Sequence, residues 1–472
     1  MSSQTAWFFL SLSLLPLICF SSVHGAVSPA KQSFKNAYAT MMYMGTPRDY
    51  EFYVAIRVML KSLVRLKVNA DLVLIASADV PRRWIRTLNE DGVIVKTVDN
   101  IKNPYANRRG FQKRFTLTLN KLYAWTLVEY ERVVMLDADN LFVQNTDELF
   151  QCGEFCAAFI NPCVFHTGLF VLKPSETVFR RMIHEVTSMR HNLDGADQGF
   201  LVSYFDDLLD RPMFHPPANG SIIDGLYRLP LGYQMDASYF YLKLKWRVPC
   251  GPNSVITFPS QPWLKPWYWW SWPVLPLGLQ WHEQRLHTIG YGAEMPLIVL
   301  ESLFYLVTMA VTLIAFKGFQ PTLSKFCLTK SELSFSFYPL VLKSLVLSSM
   351  LGSYILPFFL VPRTIHPLMG WGLYLLGSMS FVIVIKNAFQ LPTLPIFTPW
   401  LGITGSLIAM AFPLYTNGIV RALSVGAYAF FAAPFVWWAL TKLMSYVDLL
   451  VEREALRIWG ASEPQFQLMK LC

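Results

Sequence analysis

Hydrophobic and polar positions follow two different rhythms along this chain. Up to about residue 267, short apolar runs alternate with longer amphipathic ones. Residues 36–44, 71–77, 93–98, 131–136, 155–160 and 168–172 read as strands. Residues 50–66, 117–130, 174–190 and 197–205 carry apolar side chains at helical spacing. Pro81 opens a further helix that runs to residue 89. Strands alternating with helices predict an α/β domain on a mixed, mainly parallel sheet. Such sheets bind ligands at the carboxyl ends of their strands.

Beyond residue 296 the alternation stops. Apolar stretches at 296–316, 339–361, 367–385, 396–415 and 418–440 are each long enough to cross a bilayer. Nine charges lie between residues 296 and 441. A large buried soluble core is the competing reading, and five such runs in series argue against it. The α/β domain is therefore expected to precede an all-α multispan transmembrane domain of about five helices, 296–441. Basic residues set its orientation. Lys317, Lys325 and Lys330 follow the first span, Lys386 the third, and Lys442, Arg453 and Arg457 the fifth. The positive-inside rule places these loops and the tail, 442–472, in the cytosol and the α/β domain in the lumen. At the other end, the apolar run 7–20 and the small residues near Gly25 read as a signal peptide, 1–25. No Lys or Arg precedes that run, so a retained N-terminal anchor stays open.

Composition agrees with two unlike parts. The 472 residues are 53% hydrophobic and 15% charged, against about 25% charged in ordinary soluble domains. Disorder, a coiled coil and a wholly soluble enzyme are excluded on that ground. The net charge of +9 is spread along the chain and no nucleic-acid motif accompanies it. Cys152, Cys156, Cys163 and Cys250 lie in the expected lumenal domain, where disulfides form. Their spacing also suits zinc, although no His stands at a supporting spacing, and the pairing is left open. Asn219 begins an N-glycosylation sequon, usable only in the lumen.

The candidate chemistry sits at one strand end. Asp137-Ala138-Asp139-Asn140 follows the apolar run VVML. Two carboxylates separated by one residue suit a hard cation such as Mg²⁺ or Mn²⁺. Such an ion neutralises a nucleoside diphosphate as a leaving group. D-x-D alone equally suits a solvated turn, so the surrounding motifs decide. In order they are Ala37-Tyr38-Ala39-Thr40, residues 119–125 (LNKLYAW), Asp137–Asp139, residues 166–171 (HTGLFV), residues 194–199 (DGADQG) and Lys265-Pro266-Trp267. Residues 34–267 thus resemble glycosyltransferase family 8, the glycogenin-like enzymes.

That resemblance implies a GT-A-type nucleotide-sugar-binding domain, a UDP-sugar donor, Mn²⁺ and retention of configuration. It implies that Asp137 and Asp139 ligate the metal, with Ala138 beside the nucleotide. Lys121 is expected near the donor, where a fixed ammonium stabilises developing charge; by itself it would read as a surface lysine. His166, Thr167 and Gly168 occupy the family's Asn-Ser/Thr-Gly place at the sugar, with His a departure. Asp194, Gly195, Ala196, Asp197 and Gln198 are expected at the sugar and reacting centre, with Lys121, Asp197 and Gln198 catalytic. Lys265 is expected at the nucleotide. Thr257 stands where the family has the His that is its third metal ligand. Two aspartates, UDP and water then hold the metal, or a His from elsewhere such as His282 does.

Seven Trp and Tyr residues between Trp263 and Trp281 crowd the segment leading into the first span. Segment 268–295 is expected to lie at the membrane interface, as a plain anchor or as the element that brings the site to a lipid headgroup. The whole chain resembles the plant inositol phosphorylceramide glucuronosyltransferases within the family. That implies transfer of glucuronate from UDP-glucuronate to inositol phosphorylceramide in the Golgi, an early step of sphingolipid glycosylation. Glucuronate selection calls for a cation, and Arg108, Arg109, Lys113 and Arg114 form a basic run ahead of Lys121, although such runs are usually solvated. A glycan acceptor, or a membrane scaffold with an inactive GT-A domain, are the competing functions.

Overall fold

A computed structural model describes residues 35–161, 163–246, 253–319, 338–411 and 414–459. The N-terminal apolar run, Lys325, Lys330, Cys250 and the end of the tail lie outside these residues.

The chain enters through β1 (Asn36–Met42), α1 (Asp49–Arg65), β2 (Asp71–Ser77), α2 (Arg82–Glu90) and β3 (Ile94–Val98). After a 3-10 stretch, Thr118–Thr126, come β4 (Arg132–Leu136), β5 (Asn140–Phe142), β6 (Phe155–Ala158) and β7 (Leu169–Leu172). Then follow α3 (Glu176–Thr187), α4 (Asp197–Tyr204), β8 (Leu226–Leu229), β9 (Met235–Asp236), α5 (Ala237–Lys243) and β10 (Val255–Thr257). Seven strands form one sheet in the order β3-β2-β1-β4-β7-β6-β8. β3, β2, β1 and β4 run parallel; β7 is antiparallel to both β4 and β6, and β8 is parallel to β6. The mixed, mainly parallel sheet expected from the sequence is present as a GT-A-like α/β domain.

Period-2 alternation places the two cores. Tyr38, Leu72, Leu74, Val134 and Leu136 face the layer that holds α1 and α2. Ala37, Ala39, Val73, Ile75, Val133 and Met135 face the layer with the 3-10 stretch, α3 and α4. β5, β10 and β9 make a second, three-stranded sheet that the periodicity did not predict. Two or three residues per strand are too few for a pattern. The expected helix at 117–130 is instead the shorter 3-10 stretch. Hydroxyls of Thr116, Thr118 and Thr126 bond carbonyls three residues back, which favours the tighter winding. Cys152 pairs with Cys156, and Cys163 is free and exposed.

The helical part consists of α6 (Leu277–Thr288), α7 (Met295–Phe319), α8 (Tyr338–Leu360), α9 (Pro367–Phe389), α10 (Thr393–Ala409) and α11 (Gly418–Trp459). Among the described residues four helices, α7, α8, α9 and α11, are long and apolar enough to cross a membrane. The fourth apolar stretch, 396–415, yields only the 17-residue α10, which stops at Ala409 with Pro413 following in the sequence. α11 continues past residue 440 into the expected tail. Large apolar side chains such as Phe430, Phe431 and Trp437 point outward.

The aromatic segment is a joint rather than a row of lipid-facing anchors. Trp267, Trp269 and Trp281 are at most 1% exposed, whereas Trp263 is 62% exposed. Trp269 packs on Phe358, Trp371 and Tyr374 of α8 and α9. Gly370 leaves room for it, because a Cβ there would sit 2.4 Å from the Trp269 side chain. Buried Arg285 on α6 pairs with Glu294 and donates to the Thr364 carbonyl in the turn between α8 and α9.

Candidate active site

Lys121 lies inside the protein at the carboxyl edge of the sheet, 2% exposed. Its Nζ donates to Asp197 Oδ2 at 2.5 Å and to the Thr167 carbonyl at 3.0 Å, and pairs with Asp137 at 2.9 Å. The Thr167 hydroxyl donates to the same Asp197 oxygen at 2.8 Å. Three expected segments, 119–125, 166–171 and 194–199, therefore converge on one ammonium group. Burial alone would pull that ammonium down, but Asp137 and Asp197 hold it well above its usual range. Burial pushes Asp197 up, and Lys121 with the Thr167 and Thr118 hydroxyls holds it net below the carboxylate range. Burial also lifts Asp137; Lys121 opposes the rise, and Asp139 and Asp197 add to it.

The turn after β4 is clamped from both sides. Asp137 N–H donates to the Gly168 carbonyl, and Asn140 Nδ2 donates to the Asp137 and Gly168 carbonyls. The Thr257 hydroxyl on β10 donates to Asn140 Oδ1 at 2.7 Å. Thr257 thus braces the turn that presents the aspartates. Lys265 pairs with Asp139, whose other oxygen, Oδ1, is buried and has no hydrogen-bond partner among the described residues.

His166 Nδ1 accepts the Gly168 N–H at 3.0 Å and contacts Gln234 Nε2 at 2.6 Å. An acceptor at Nδ1 leaves the proton on Nε2. Burial holds the ring below its usual pKa despite the nearby Asp137 and Asp139, so it is a neutral donor. Gly168 is required here, because a Cβ would lie 2.6 Å from the His166 ring.

The acidic loop before α4 divides its labour. Asp194 Oδ1 accepts from the backbone of Ala196 and Gly199, so it shapes the loop. Gly195 turns with a positive φ of 74°. Gln198 is half-buried, and its side chain makes no hydrogen bond among the described residues. It is free to meet a substrate.

A divalent metal fits two of the expected ligands. Asp137, Asp139 and Asp197 against Lys121 and Lys265 leave the cluster one negative charge in excess, and the free Asp139 oxygen is aimed nowhere else. The third ligand is not in hand. Thr257 is committed to Asn140, and His282 binds Tyr291 and faces His366 in the aromatic joint. Among the described residues no group of three His, Cys, Asp or Glu could hold a metal. The expectation that His282 serves the metal is therefore replaced by a structural role in the joint.

Gln234 and Tyr43 belong to the site and carried no motif. The Tyr43 hydroxyl donates to the Arg114 carbonyl at 2.9 Å. Burial, with Asp197 and Asp137, raises its pKa. Of the basic run, Arg108 is spent on the Asn192 carbonyl and the Tyr105 ring.

Comparison with known proteins follows the same division. Residues 293–456 match the family model described as the PGSIP7 C-terminal domain. The Arabidopsis thaliana protein named "Putative glucuronosyltransferase PGSIP8" is 62% identical over 89% of this chain and 84% of its own length. "Putative glucuronosyltransferase PGSIP7" of the same plant is 59% identical over 92% of this chain and 87% of its own length. "Inositol phosphorylceramide glucuronosyltransferase 1", also from Arabidopsis, is 30% identical over 66% of this chain and 58% of its own length.

Proposed function

Because the chain belongs to the PGSIP7 and PGSIP8 family of glucuronosyltransferases, and so is a UDP-sugar-dependent glycosyltransferase, we propose that it transfers glucuronate from UDP-glucuronate to inositol phosphorylceramide with retention of configuration. The observation that carries the reading is the buried ammonium of Lys121 held between Asp137 and Asp197 at the carboxyl edge of the sheet. Fixed there, it stabilises charge developing between the donor phosphate and the sugar without reorganising. Asp197 keeps Lys121 charged and in place, and Gln198 meets the sugar. His166 donates from Nε2 to a sugar oxygen. Attack comes from the same face as departure, helped by the leaving phosphate.

Asp137 and Asp139 would hold Mn²⁺, which when bound neutralises the diphosphate as it leaves. Thr257 and His282 are occupied, so donor phosphates and water would have to supply its remaining ligands. Lys265 keeps Asp139 in position and adds positive charge beside the nucleotide.

A lipid acceptor suits the architecture. The loop after β1 and the first turn of α1 are tied to the turn between α8 and α9 by Arg363, which donates to Glu51 at 3.1 Å and approaches the Pro47 carbonyl at 3.5 Å. The carboxyl edge of the sheet is thus joined to helices that can cross a membrane. The relative named for inositol phosphorylceramide supports that acceptor. We place the α/β domain in the Golgi lumen, with the helices in the membrane.

The test is transfer by the purified protein, reconstituted in vesicles, to inositol phosphorylceramide. UDP-glucuronate, UDP-glucose and UDP-galactose compete, with and without Mn²⁺. Glucuronate transfer that needs Mn²⁺ and is lost in Asp137→Ala with Asp139→Ala is expected. Transfer to an oligosaccharide but not to the lipid overturns the acceptor, and preference for another donor overturns the sugar.

A further inference from the structure

A cleft of about 340 Å³ lies between α1, α2 and the segment that joins α6 to α7, and it shares no residue with the cluster around Lys121. That volume suits one small ligand or headgroup. Part of its lining is aromatic. Tyr53 of α1 and Trp84 of α2 stack with ring centroids 4.6 Å apart, and the Tyr50 ring stands 6.3 Å from Trp84 and is 41% exposed. The segment between α6 and α7 adds Glu294, which pairs with Arg285 and accepts the Tyr50 hydroxyl at Oε1, at 3.2 Å. Glu294 is 6% exposed, and its Oε2 has no hydrogen-bond partner among the described residues. A buried carboxylate oxygen without a donor is unfavourable, and a ligand hydroxyl supplies one.

The charge of the lining selects the ligand. Three arginines face one glutamate. Arg285 is paired with Glu294, and Arg57 with Asp91, which also takes Lys61. Arg83 is the cation left over. Its guanidinium stands over the Trp84 ring, 5.9 Å from the centroid, and its side chain makes no ion pair or hydrogen bond among the described residues. α2 opens on Arg82 and Arg83, with no acidic residue in its first turn and no side-chain cap. Cations there oppose the helix dipole, and an anion relieves that opposition. An aromatic wall by itself would suit an ammonium headgroup. The excess of positive charge excludes one and favours an oxyanion, which guanidinium matches geometrically.

The position of the cleft also bears on its ligand. α7 begins at Met295, directly after Glu294, and is long and apolar enough to cross a membrane. Leu297, Val299 and Leu300 at its start are exposed. With α7 in the membrane, the cleft lies at the level of the lipid headgroups, where amphipathic aromatic rings concentrate.

We propose that this cleft binds a polyol phosphate, with Arg83 at the phosphate, the aromatic wall against the apolar face of the polyol, and a polyol hydroxyl donating to Glu294. Two sources offer that chemistry: the headgroup of a membrane lipid and a soluble phosphorylated polyol. The proposal rests on the functional reading above only for the membrane placement of α7, and it involves no transfer step.

The experiment uses the full chain in detergent, without nucleotide. Dissociation constants for dioctanoyl-phosphatidylinositol, dioctanoyl-phosphatidic acid, dioctanoyl-phosphatidylcholine and myo-inositol 1-phosphate are measured by native mass spectrometry. Phosphatidylinositol is expected to fill one saturable site, about tenfold or more tighter than either other lipid. Arg83→Gln weakens it about tenfold or more. Ala293→Phe, at an exposed position lining the cleft, fills the space without altering charge and weakens it to a similar extent. Arg86→Gln changes an exposed arginine of the same helix that does not line the cleft, and leaves binding as it was. Soluble inositol phosphate binding as tightly as the lipid supports the soluble source, and much weaker binding supports the lipid. Equal affinity for all three lipids overturns the proposal, and phosphatidic acid binding as tightly as phosphatidylinositol overturns the polyol. Equal losses in Arg86→Gln and Arg83→Gln, or intact binding in Ala293→Phe, reduce the effect to surface charge and also overturn it. Melting temperature and UDP affinity unchanged in each variant show that the fold and the catalytic cluster are intact. The functional reading fails separately, by absence of glucuronate transfer in the wild type, and that result leaves these binding constants readable.

Discussion

Lys121 is the residue on which catalysis and folding depend together. Its ammonium is the counter-charge for two carboxylates in a water-poor setting. Lys121→Met leaves Asp197 buried and unpaired, which costs about 3–5 kcal/mol. Transfer should fall by roughly 100-fold or more, with a lower melting temperature in the same preparation. Thr257 behaves differently. It stands in the family's metal-ligand place, yet its hydroxyl braces Asn140. Thr257→Val should lower stability by about 1–2 kcal/mol and leave the Mn²⁺ concentration for half-maximal activity unchanged. A shift in that concentration would make Thr257 a ligand after all. Motif order in the sequence was enough to single out both residues. What each does was not legible, because Lys121 meets Asp197 across 76 positions and Thr257 meets Asn140 across 117.

At the scale of elements, the joint between α6, α8 and α9 explains the aromatic segment. A cluster of Trp next to an apolar stretch reads as an interfacial belt. The structure instead buries Trp267, Trp269 and Trp281 in protein. Trp269→Ala should cost about 3–5 kcal/mol, seen as loss of the folded protein in detergent. Gly370→Leu should be nearly as damaging, since its side chain would occupy the Trp269 ring. The joint also has a pH limit. His282 is buried against Tyr291, His366 and Arg285. Burial, then the charges of His366 and Arg285, holds it well below 6.5. The folded state refuses a proton that the unfolded chain accepts. Stability is therefore complete above pH 6.5 and declines below it, by about 1.4 kcal/mol per pH unit. Melting curves between pH 7.5 and 5 check this, and His282→Gln should flatten the decline.

For the molecule as a whole, the α/β domain and the apolar helices act as one unit through that joint. The proposed lumenal placement of the α/β domain is testable at Asn219, which is exposed at a sequon. If the domain is lumenal, the protein carries an N-glycan. Asn219→Gln then removes one glycan's worth of mass on a gel, and a wild-type band insensitive to glycosidase places the domain in the cytosol.

The sequence by itself determined the order of the two parts, the layered sheet and the acidic turn after β4. Each follows from local information: period-2 or period-3.6 alternation, hydropathy over one bilayer thickness, and a short motif at a strand end. The same local signals failed where elements were short, as in the three-stranded β5-β10-β9 sheet, or where a proline stopped a helix early, as in α10. Only the tertiary structure decided who pairs with whom. Lys265 reaches Asp139 across 126 positions, and Gln234 reaches His166 across 68. Such partners are chosen by strand order and loop packing, which bring distant charges together in a low-dielectric site, and no periodicity along the chain encodes that choice.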